Sequence, residues 1–258
     1  MGKVVAIANQ KGGVGKTTTA INLSSSIALE GRSVLLIDMD PQGNSTSGLG
    51  IEHGALKDTT YECLVRMSAI QESLIETSVQ GLTLLPANAD LSGAEVELVN
   101  VEGREGRLRT AICEVKGKYD FVFLDCPPAL GILTINALTA ADSVLIPVQC
   151  EYYAMEGLTR LLGSIDLVRQ SFNSNLVLEG IVLTMFDSRN SLARQVAEQV
   201  RSHFSDKVYQ AVIPRNVSLA EAPSYGRPGI LYNVSSAGSQ AYVNLAKEFI
   251  RHGEKSPR

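Results

Sequence analysis

A glycine-rich run with two lysines is the segment of this chain most suited to chemistry. Residues 11–18 read KGGVGKTT and comprise Lys11, Gly12, Gly13, Val14, Gly15, Lys16, Thr17 and Thr18. Glycines let a loop turn its backbone N–H groups toward phosphate oxygens, and a following helix adds partial positive charge at its N-terminus. In such a loop Lys16 would bind the β- and γ-phosphates of a nucleotide, and the Thr17 hydroxyl would ligate Mg²⁺. The run therefore predicts a nucleotide phosphate site.

The run departs from the ordinary phosphate-loop pattern at one position. The pattern G-x-x-x-x-G-K-[ST] requires glycine at position 10, where this chain has Gln10. An additional lysine, Lys11, follows directly. A glycine-rich turn without a ligand is the alternative interpretation, but the Lys-Thr pair and the helical pattern after it favour phosphate binding.

Two carboxylates are placed to complete such a site. Asp40 and Asp125 each follow a short apolar run, within the sequences DMDPQGN at 38–44 and LDCPP at 124–128. Open α/β sheets place their ligand crevice at the carboxyl ends of the strands, so both are expected beside the phosphate loop. One carboxylate can hold a metal, directly or through water, while another orients an attacking water. Either aspartate alone would indicate only a turn or a helix cap, but with the lysine loop they predict a hydrolytic site.

A parallel sheet is needed to bring these segments together, and the hydrophobic pattern predicts one. Short apolar runs are typical of strands buried on both faces, and they cover residues 4–8, 34–37, 82–85, 121–124, 144–148 and 181–185. Helix-period segments cover residues 17–30, 104–115, 132–140, 158–170, 192–204 and 240–250. The alternation predicts an α/β fold with a doubly wound, mostly parallel sheet and helices on both faces, of the P-loop NTPase type. A single domain over residues 1–258 is expected.

Two segments fall outside that alternation. Residues 50–80 form the least regular stretch and are predicted to be a surface insertion. The last helix carries apolar residues on neighbouring faces, which favours docking on the core over lying on a membrane. Residues 253–258 are expected to fray.

The composition indicates a folded, water-soluble chain. With 45% hydrophobic and 19% charged residues, it can bury a sizeable core. No cationic or Arg-rich leader precedes the first apolar run, and no apolar run reaches the roughly 20 residues of a membrane-spanning helix. We therefore expect a cytoplasmic protein that does not span a membrane.

The cysteines and the charge give weaker indications. Cys63, Cys113, Cys126 and Cys150 contain no C-x-x-C pair, so buried reduced thiols are expected rather than a metal or cluster. The net charge of −4 argues against a uniformly basic nucleic-acid binder. Residues 181–258 nevertheless contain ten Lys/Arg and six Asp/Glu, a net charge of +4, which leaves −8 for residues 1–180. Composition alone favours ordinary solvated charge.

Taken together, the motifs resemble those of the ParA partition ATPases, within the wider ParA and MinD group of deviant Walker-A proteins. The matching segments are KGGVGKTT at 11–18, DMDPQGN at 38–44, LDCPP at 124–128, PVQCEYYAMEGL at 147–158 and IPRNVSLAEAPSYGRP at 213–228. They span nearly the whole chain in order. The similarity is greatest to the short chromosomal ParA type, which lacks an N-terminal DNA-reading extension.

The resemblance implies a switch driven by ATP and Mg²⁺. In that family two subunits sandwich the nucleotide, and Lys11 would reach the phosphates bound by the partner subunit. Asp40 would be needed for hydrolysis, Asp125 would support Mg²⁺ through water, and Pro214 and Asn216 lie where the family contacts adenine. An arginine finger supplied in trans accelerates hydrolysis by roughly 10³- to 10⁵-fold. A lysine lacks its planar fork, so slow, partner-stimulated hydrolysis is expected.

The resemblance also implies macromolecular partners. The ATP-dependent homodimer would bind double-stranded DNA without sequence preference through basic residues of its C-terminal half, which gives the charge asymmetry a purpose. Arg189 matches one family arginine, whereas position 218, often basic in relatives, is Ser218. Other candidates for phosphate contacts are Arg194, Arg201, Arg215 and Arg227. A ParB-like centromere-binding protein would stimulate hydrolysis, and the protein would be nucleoid-associated, with no membrane partner.

Three other functions are compatible with the same nucleotide site. A MinD-like membrane-surface regulator would end in a cationic amphipathic helix, whereas residues 251–258 have no apolar face. An iron–sulfur reductase or scaffold would require Cys126 and Cys150 to face each other across a dimer. A positioning ATPase for a protein cargo uses the same core, and the sequence does not separate one cargo from another.

Overall fold

A seven-stranded sheet forms the centre of the computed structural model, which describes residues 2–255. The strands are β1 Lys3–Ile7, β2 Val34–Asp38, β3 Ile75–Glu76, β4 Leu82–Leu85, β5 Phe121–Asp125, β6 Ser143–Gln149 and β7 Val177–Thr184. Their order in the sheet is β3-β4-β2-β5-β1-β6-β7. Strand β3 is antiparallel to β4, and the other neighbouring strands are parallel. The carboxyl ends of β1, β2 and β5 therefore meet at one edge of the sheet.

Helices cover both faces of this sheet. They are α1 Lys16–Leu29, α2 Asn44–Gly48, α3 Ala94–Glu97, α4 Arg107–Cys113, α5 Ile132–Ala140, α6 Ala154–Ser171, α7 Ser191–Phe204, α8 Val217–Glu221, α9 Gly229–Tyr232 and α10 Ala237–Lys255. Alternate residues of β1 face opposite cores: Val4 and Ala6 pack with α4 to α7, whereas Val5 and Ile7 pack with α1 and α10. The predicted fold class, a doubly wound and mostly parallel sheet, is confirmed.

Some predicted element boundaries are wrong by several residues. The helix predicted over 104–115 is a 3₁₀ turn at Arg104–Gly106 followed by α4, which ends at Cys113. Helix α6 begins four residues before the predicted start at 158, and β7 begins four residues before the predicted start at 181. The apolar pattern marks only the buried centre of each element, and solvent-facing turns at the ends carry no such pattern.

The C-terminal helix also runs further than predicted. Fraying was expected from residue 253, but α10 continues to Lys255, and residues 256–258 lie outside the described part of the chain. Tyr242, Leu245 and Phe249 of α10 are buried against the sheet and α1. The His252 ring stacks on that of Tyr209, with 5.3 Å between the ring centroids. This contact extends the docking of α10 into its last turns.

Residues 50–80 are not the surface insertion predicted from sequence. Cys63, Leu64 and Ile70 are fully buried and belong to the same core as α4 and α5. The segment also supplies the two-residue strand β3 at the edge of the sheet. Its apolar residues occur in irregularly spaced runs of at most three, so they show neither the helix period nor the strand alternation.

The prediction of four buried thiols is wrong for one of them. Cys63, Cys126 and Cys150 are buried, but Cys113 is exposed at the end of α4. Neighbouring Ile112 and Ala111 supply the buried face of that helix, so Cys113 points to its solvent side. Burial raises the pKa of the Cys150 thiol to about 11, as expected for an unreactive core thiol. Both thiols that an iron–sulfur site between two subunits would need, Cys126 and Cys150, are thus in the core rather than on an exposed surface.

Candidate nucleotide-binding site

The phosphate loop connects β1 to α1, as the sequence predicted. Gly13 and Gly15 have φ angles of 74° and 87°, in the left-handed region that favours glycine. A Cβ atom on Gly12 or Gly13 would meet no other atom within 4 Å, so the loop faces open space. Helix α1 begins at Lys16 immediately after Gly15, which directs its unpaired backbone N–H groups toward that space. The loop therefore has room and donors for phosphate.

Lys16 is buried at the base of this loop, with 7% of its surface exposed. Its Nζ donates a hydrogen bond to the carbonyl oxygen of Lys11 at 3.2 Å. Burial lowers the pKa of the Lys16 ammonium, while the nearby carboxylates of Asp125 and Asp40 act in the opposite direction. Among the residues the structure describes, no carboxylate lies within ion-pair distance of Nζ. An anionic phosphate would supply the close counter-charge that this ammonium lacks.

Two polar side chains that sequence reasoning missed hold the loop against neighbouring strands. Asn9 accepts a hydrogen bond from the Lys11 backbone N–H at 3.0 Å and donates to the Pro147 carbonyl at 2.8 Å. The Thr184 hydroxyl, at the end of β7, donates to the Val14 carbonyl at 2.8 Å. The loop is thus fixed to the ends of β6 and β7. A polar residue directly after a buried strand was the only sequence signal for Asn9.

Two strand-end carboxylates lie side by side next to the loop. Asp38 and Asp125 are register partners at the ends of β2 and β5, and both are fully buried. Burial raises the pKa of each carboxyl, and the neighbouring charge of Asp38 raises that of Asp125 further. The Ser45 hydroxyl donates to Asp125 Oδ2 at 2.7 Å, and the Thr46 hydroxyl donates to Asp38 Oδ2 at the same distance. Hydrogen bonds to the charged form partly offset the cost of burial.

Asp125 retains an oxygen for a further ligand. Its Oδ1 is buried and makes no hydrogen bond with any residue that the structure describes. The Thr17 hydroxyl is nevertheless close enough to Asp125 to favour its ionised form. A buried oxygen without a donor costs free energy until a ligand pairs with it. Carboxylate and hydroxyl oxygens are the donors that Mg²⁺ prefers, so Thr17 and Asp125 fit a magnesium site.

Asp40 lies on a tight loop beside those two carboxylates and is 9% exposed. Its backbone N–H donates to Asp38 Oδ1 at 3.1 Å, and its own Oδ1 accepts from the Gln42 N–H at 3.0 Å. Gly43 closes the loop with a φ of 60°, and a Cβ there would lie 2.8 Å from the Ala87 carbonyl oxygen. Asp38, which the sequence left without a role, therefore orients Asp40. The fixed carboxylate at position 40 is suited to orient a water molecule.

The side chain of Lys11 points away from Lys16 and forms an ion pair with Glu151, in the loop between β6 and α6. Both side chains are about half exposed, at 44% and 45%. Sequence analysis missed Glu151, although it lies within the segment that resembles ParA. Lys11 is thus available on the outer side of the loop rather than in its own phosphate cradle.

The predicted adenine contacts lie near the end of β7. Pro214 pairs with Phe186 as an isolated parallel bridge, two residues beyond Thr184, which contacts the phosphate loop. The Asn216 side chain caps α8 by accepting from the Leu219 N–H at 3.2 Å. Its Oδ1 is therefore engaged, and its amide group is left as the donor toward a base. The assignment of both residues to adenine binding stays a prediction.

Arg189 is exposed on the loop between β7 and α7, but it is not an isolated charge. Its guanidinium donates to both carboxylate oxygens of Asp187, at 3.0 and 2.8 Å. These hydrogen bonds lower the pKa of Asp187 to about 2. Of the other candidate arginines, Arg194, Arg215 and Arg227 are exposed and Arg201 is partly buried. Ser218 accepts a hydrogen bond from Asn233 at 3.3 Å.

Comparisons with known proteins agree with this geometry. A family profile described as an AAA domain matches residues 2–178. The chain is 54% identical to the chromosome partitioning protein ParA of Myxococcus xanthus, over 100% of this chain and 92% of that protein.

Solved structures show the same architecture. The cobyrinic acid a,c-diamide synthase of Mycobacterium smegmatis with bound ADP and magnesium is 39% identical, with a TM-score of 0.86 over 99% of this chain and 96% of that one. The cell division ATPase MinD of Pyrococcus furiosus is 26% identical, with a TM-score of 0.80 over 98% of this chain and 100% of that one. Of the helices in the part of the chain that the structure describes, none combines the length and the apolar character needed to cross a membrane.

Proposed function

This chain belongs to the ParA family of partition ATPases, and from that premise we propose that it is a DNA-segregation switch that dimerises with ATP. In this proposal the ATP dimer binds DNA without sequence preference, and a ParB-like partner stimulates hydrolysis and release. The observation that carries the proposal is the pair of lysines on one loop. Lys16 is buried beside Asp125 and Asp40, whereas Lys11 is directed outward onto Glu151. Lys16 would bind the nucleotide of its own subunit. Lys11 would reach the nucleotide of the partner subunit.

Each residue of the site has a different role in hydrolysis. The loop N–H groups and Lys16 bind and neutralise the phosphates. Thr17 and Asp125 would hold Mg²⁺, which would supply charge neutralisation to the bound phosphates. Asp40 orients the attacking water and accepts its proton. Closure of a second subunit over the loop excludes bulk water, which strengthens these electrostatic contacts.

We predict that Glu151→Gln strengthens the ATP-dependent dimer. Lys11 must leave Glu151 to reach phosphates in the partner subunit, so the pair in the monomer opposes association. Exposed ion pairs are worth about 0.2–1 kcal/mol each, and a dimer breaks two of them, so the dissociation constant should fall by about two- to thirtyfold. Sedimentation equilibrium with ATP, in an Asp40→Ala background to prevent hydrolysis, measures this constant.

The matched control for that prediction is Glu156→Gln. Glu156 forms a separate and more exposed ion pair, with Arg160 on α6. Its removal should leave the dimer unchanged. A weaker dimer with Glu151→Gln would mean instead that Glu151 holds Lys11 in the orientation that the dimer uses.

The proposed function is tested by binding to duplex DNA of arbitrary sequence across a salt series. We expect binding with ATP but not with ADP, falling on a log–log salt plot with a slope near 0.9 per phosphate contact. Size-exclusion chromatography of the same samples reports whether ATP produces a dimer. If ATP produces a dimer that never binds DNA, the protein is still an ATPase, but the proposed partition role is wrong.

The contribution of Arg189 gives a second prediction in the same assay. Because Arg189 is paired with Asp187, part of its charge is already neutralised. Arg189→Ala should therefore reduce both affinity and the salt slope, by about 0.9 for each DNA phosphate that the variant no longer neutralises. Asp187→Ala should increase the affinity for DNA, because it frees the Arg189 guanidinium.

The control for Arg189 is Arg169→Ala on α6, because Arg169 is also ion-paired and exposed. If Arg189→Ala behaves like that control, the DNA-binding surface lies elsewhere.

The name of the Mycobacterium smegmatis structure raises a second function, amide synthesis on cobyrinic acid. That protein shares the fold and an ADP and magnesium site, but its identity to this chain is 39%, against 54% for the partition protein. The nucleotide site alone does not distinguish these functions, because both would use ATP and Mg²⁺. Nucleotide-dependent DNA binding distinguishes them directly.

A further inference from the structure

The short helix α2 connects the Asp40 loop to both buried carboxylates. It begins at Asn44, one residue after the loop closes at Gly43. Its next two residues, Ser45 and Thr46, are fully buried, and each donates its hydroxyl to a different carboxylate. The helix is thereby attached to the ends of two adjacent strands at once.

The two contacts are not equivalent. Thr46 binds Asp38 through both its backbone N–H and its hydroxyl, at 2.9 and 2.7 Å, and its hydroxyl also accepts from the Ala87 N–H. That arrangement fixes backbone and therefore supports the fold. The Ser45 hydroxyl donates to Asp125 Oδ2, and the other oxygen of that carboxylate makes no hydrogen bond within the described residues 2–255.

We propose that Ser45 is a positioning residue for magnesium. By occupying Oδ2, the hydroxyl fixes the rotation of the Asp125 carboxylate and leaves Oδ1 as the oxygen that would support a bound Mg²⁺. It also connects that carboxylate to the Asp40 loop, so the metal site and the water-orienting residue share one rigid support. The inference rests on the proposed function, because it assumes that Mg²⁺ and nucleotide bind at this loop.

A purely structural role for Ser45 makes a different prediction. Loss of a helix contact would lower the melting temperature of the protein without ligand and would affect nucleotide binding equally with and without metal. A positioning role changes the dependence on Mg²⁺ alone. Hydrogen bonds to charged groups are worth about ten- to a hundredfold in an equilibrium, and a water molecule that replaces the hydroxyl recovers part of this.

The experiment titrates Mg²⁺ into the full chain with a fluorescent ribose-labelled ATP analogue. The half-saturating Mg²⁺ concentration and the analogue affinity in EDTA are measured for the wild type and for Ser45→Ala, Ser45→Thr and Ser47→Ala. Ser45→Thr keeps the hydroxyl. Ser47→Ala is the matched control, since Ser47 lies on the same helix but donates to the Gly43 carbonyl at 3.2 Å. We expect Ser45→Ala alone to raise the half-saturating Mg²⁺ concentration, by about three- to thirtyfold.

The outcomes separate this inference from the proposed function. Unchanged Mg²⁺ dependence in Ser45→Ala, or an equal loss of affinity in EDTA, overturns the positioning role while the wild type still binds nucleotide with metal. If the wild-type protein binds no nucleotide in the presence of Mg²⁺, the proposed function itself is wrong. If Ser45→Ala does not fold, Ser45→Cys replaces it, because a thiol fills the same site but is a weak donor.

Discussion

Lys16→Ala is expected to weaken binding of ATP with Mg²⁺ by about 200- to 5000-fold and to abolish the ATP-dependent dimer. The ammonium is buried at the base of the loop, and within the part of the chain that the structure describes its hydrogen-bond acceptor is the Lys11 carbonyl oxygen. Once phosphate is bound, removing it leaves anionic oxygens buried without their counter-charge, which costs about 3–5 kcal/mol. Isothermal titration calorimetry measures the affinity, and sedimentation measures the dimer.

Two comparisons make this result specific to Lys16. Lys11→Ala should leave nucleotide binding to the monomer within about threefold of the wild type while also preventing the dimer, because Lys11 lies outside its own cradle. Thermal unfolding without nucleotide should show that Lys16→Ala is folded, since burial of the ammonium disfavours its charged form in the free protein. Binding weakened less than tenfold would mean that phosphate is held chiefly by the backbone.

The phosphate loop can be predicted from the sequence because its essential residues are consecutive. Glycines occupy positions 13 and 15, where the backbone has positive φ, and the lysine and threonine follow where α1 begins. The six parallel strands are also readable, since burial on both faces requires continuous apolar runs. Each of these features depends on residues that lie within a few positions of one another in the sequence.

The residues that hold the site in place depend instead on contacts distant in sequence. Ser45 and Asp125 are 80 residues apart, and Lys11 and Glu151 are 140 apart. A serine after a turn usually indicates only local capping. The sequence around Ser45 therefore does not indicate that its hydroxyl binds a carboxylate on another strand. The register of β2 against β5 brings Asp38 beside Asp125, and this pairing decides which hydroxyls are needed.

Charge pairing shows the same dependence on the fold. Arg189 is recognisable from the sequence as a basic residue of the C-terminal half. Its ion pair with Asp187 neutralises part of its charge. The two residues are separated by one position, yet alternation in a strand would place them on one face and a helix would separate them. The observed loop conformation brings the guanidinium onto both carboxylate oxygens.

Asp40→Ala is expected to reduce ATP hydrolysis by about 10²-fold or more while ATP affinity stays within about threefold of the wild type. Asp40 is fixed by the Gln42 N–H and by Asp38, and these hydrogen bonds lie within its own loop. The dimer should therefore form and persist. Phosphate release, measured with DNA present, and sedimentation with ATP check both parts of this expectation.

The control and the contrary outcome for Asp40 follow from its neighbours. Asp90→Ala removes an exposed carboxylate elsewhere and should change neither quantity. Asp38→Asn is unsuitable, because Asp38 accepts hydrogen bonds from both the backbone and the hydroxyl of Thr46 and its loss would disturb α2. If Asp40→Ala hydrolyses ATP at the wild-type rate, another group orients the water. If it no longer binds ATP, Asp40 supports the nucleotide or its metal, and the division of roles between Asp40 and Asp125 must be reversed.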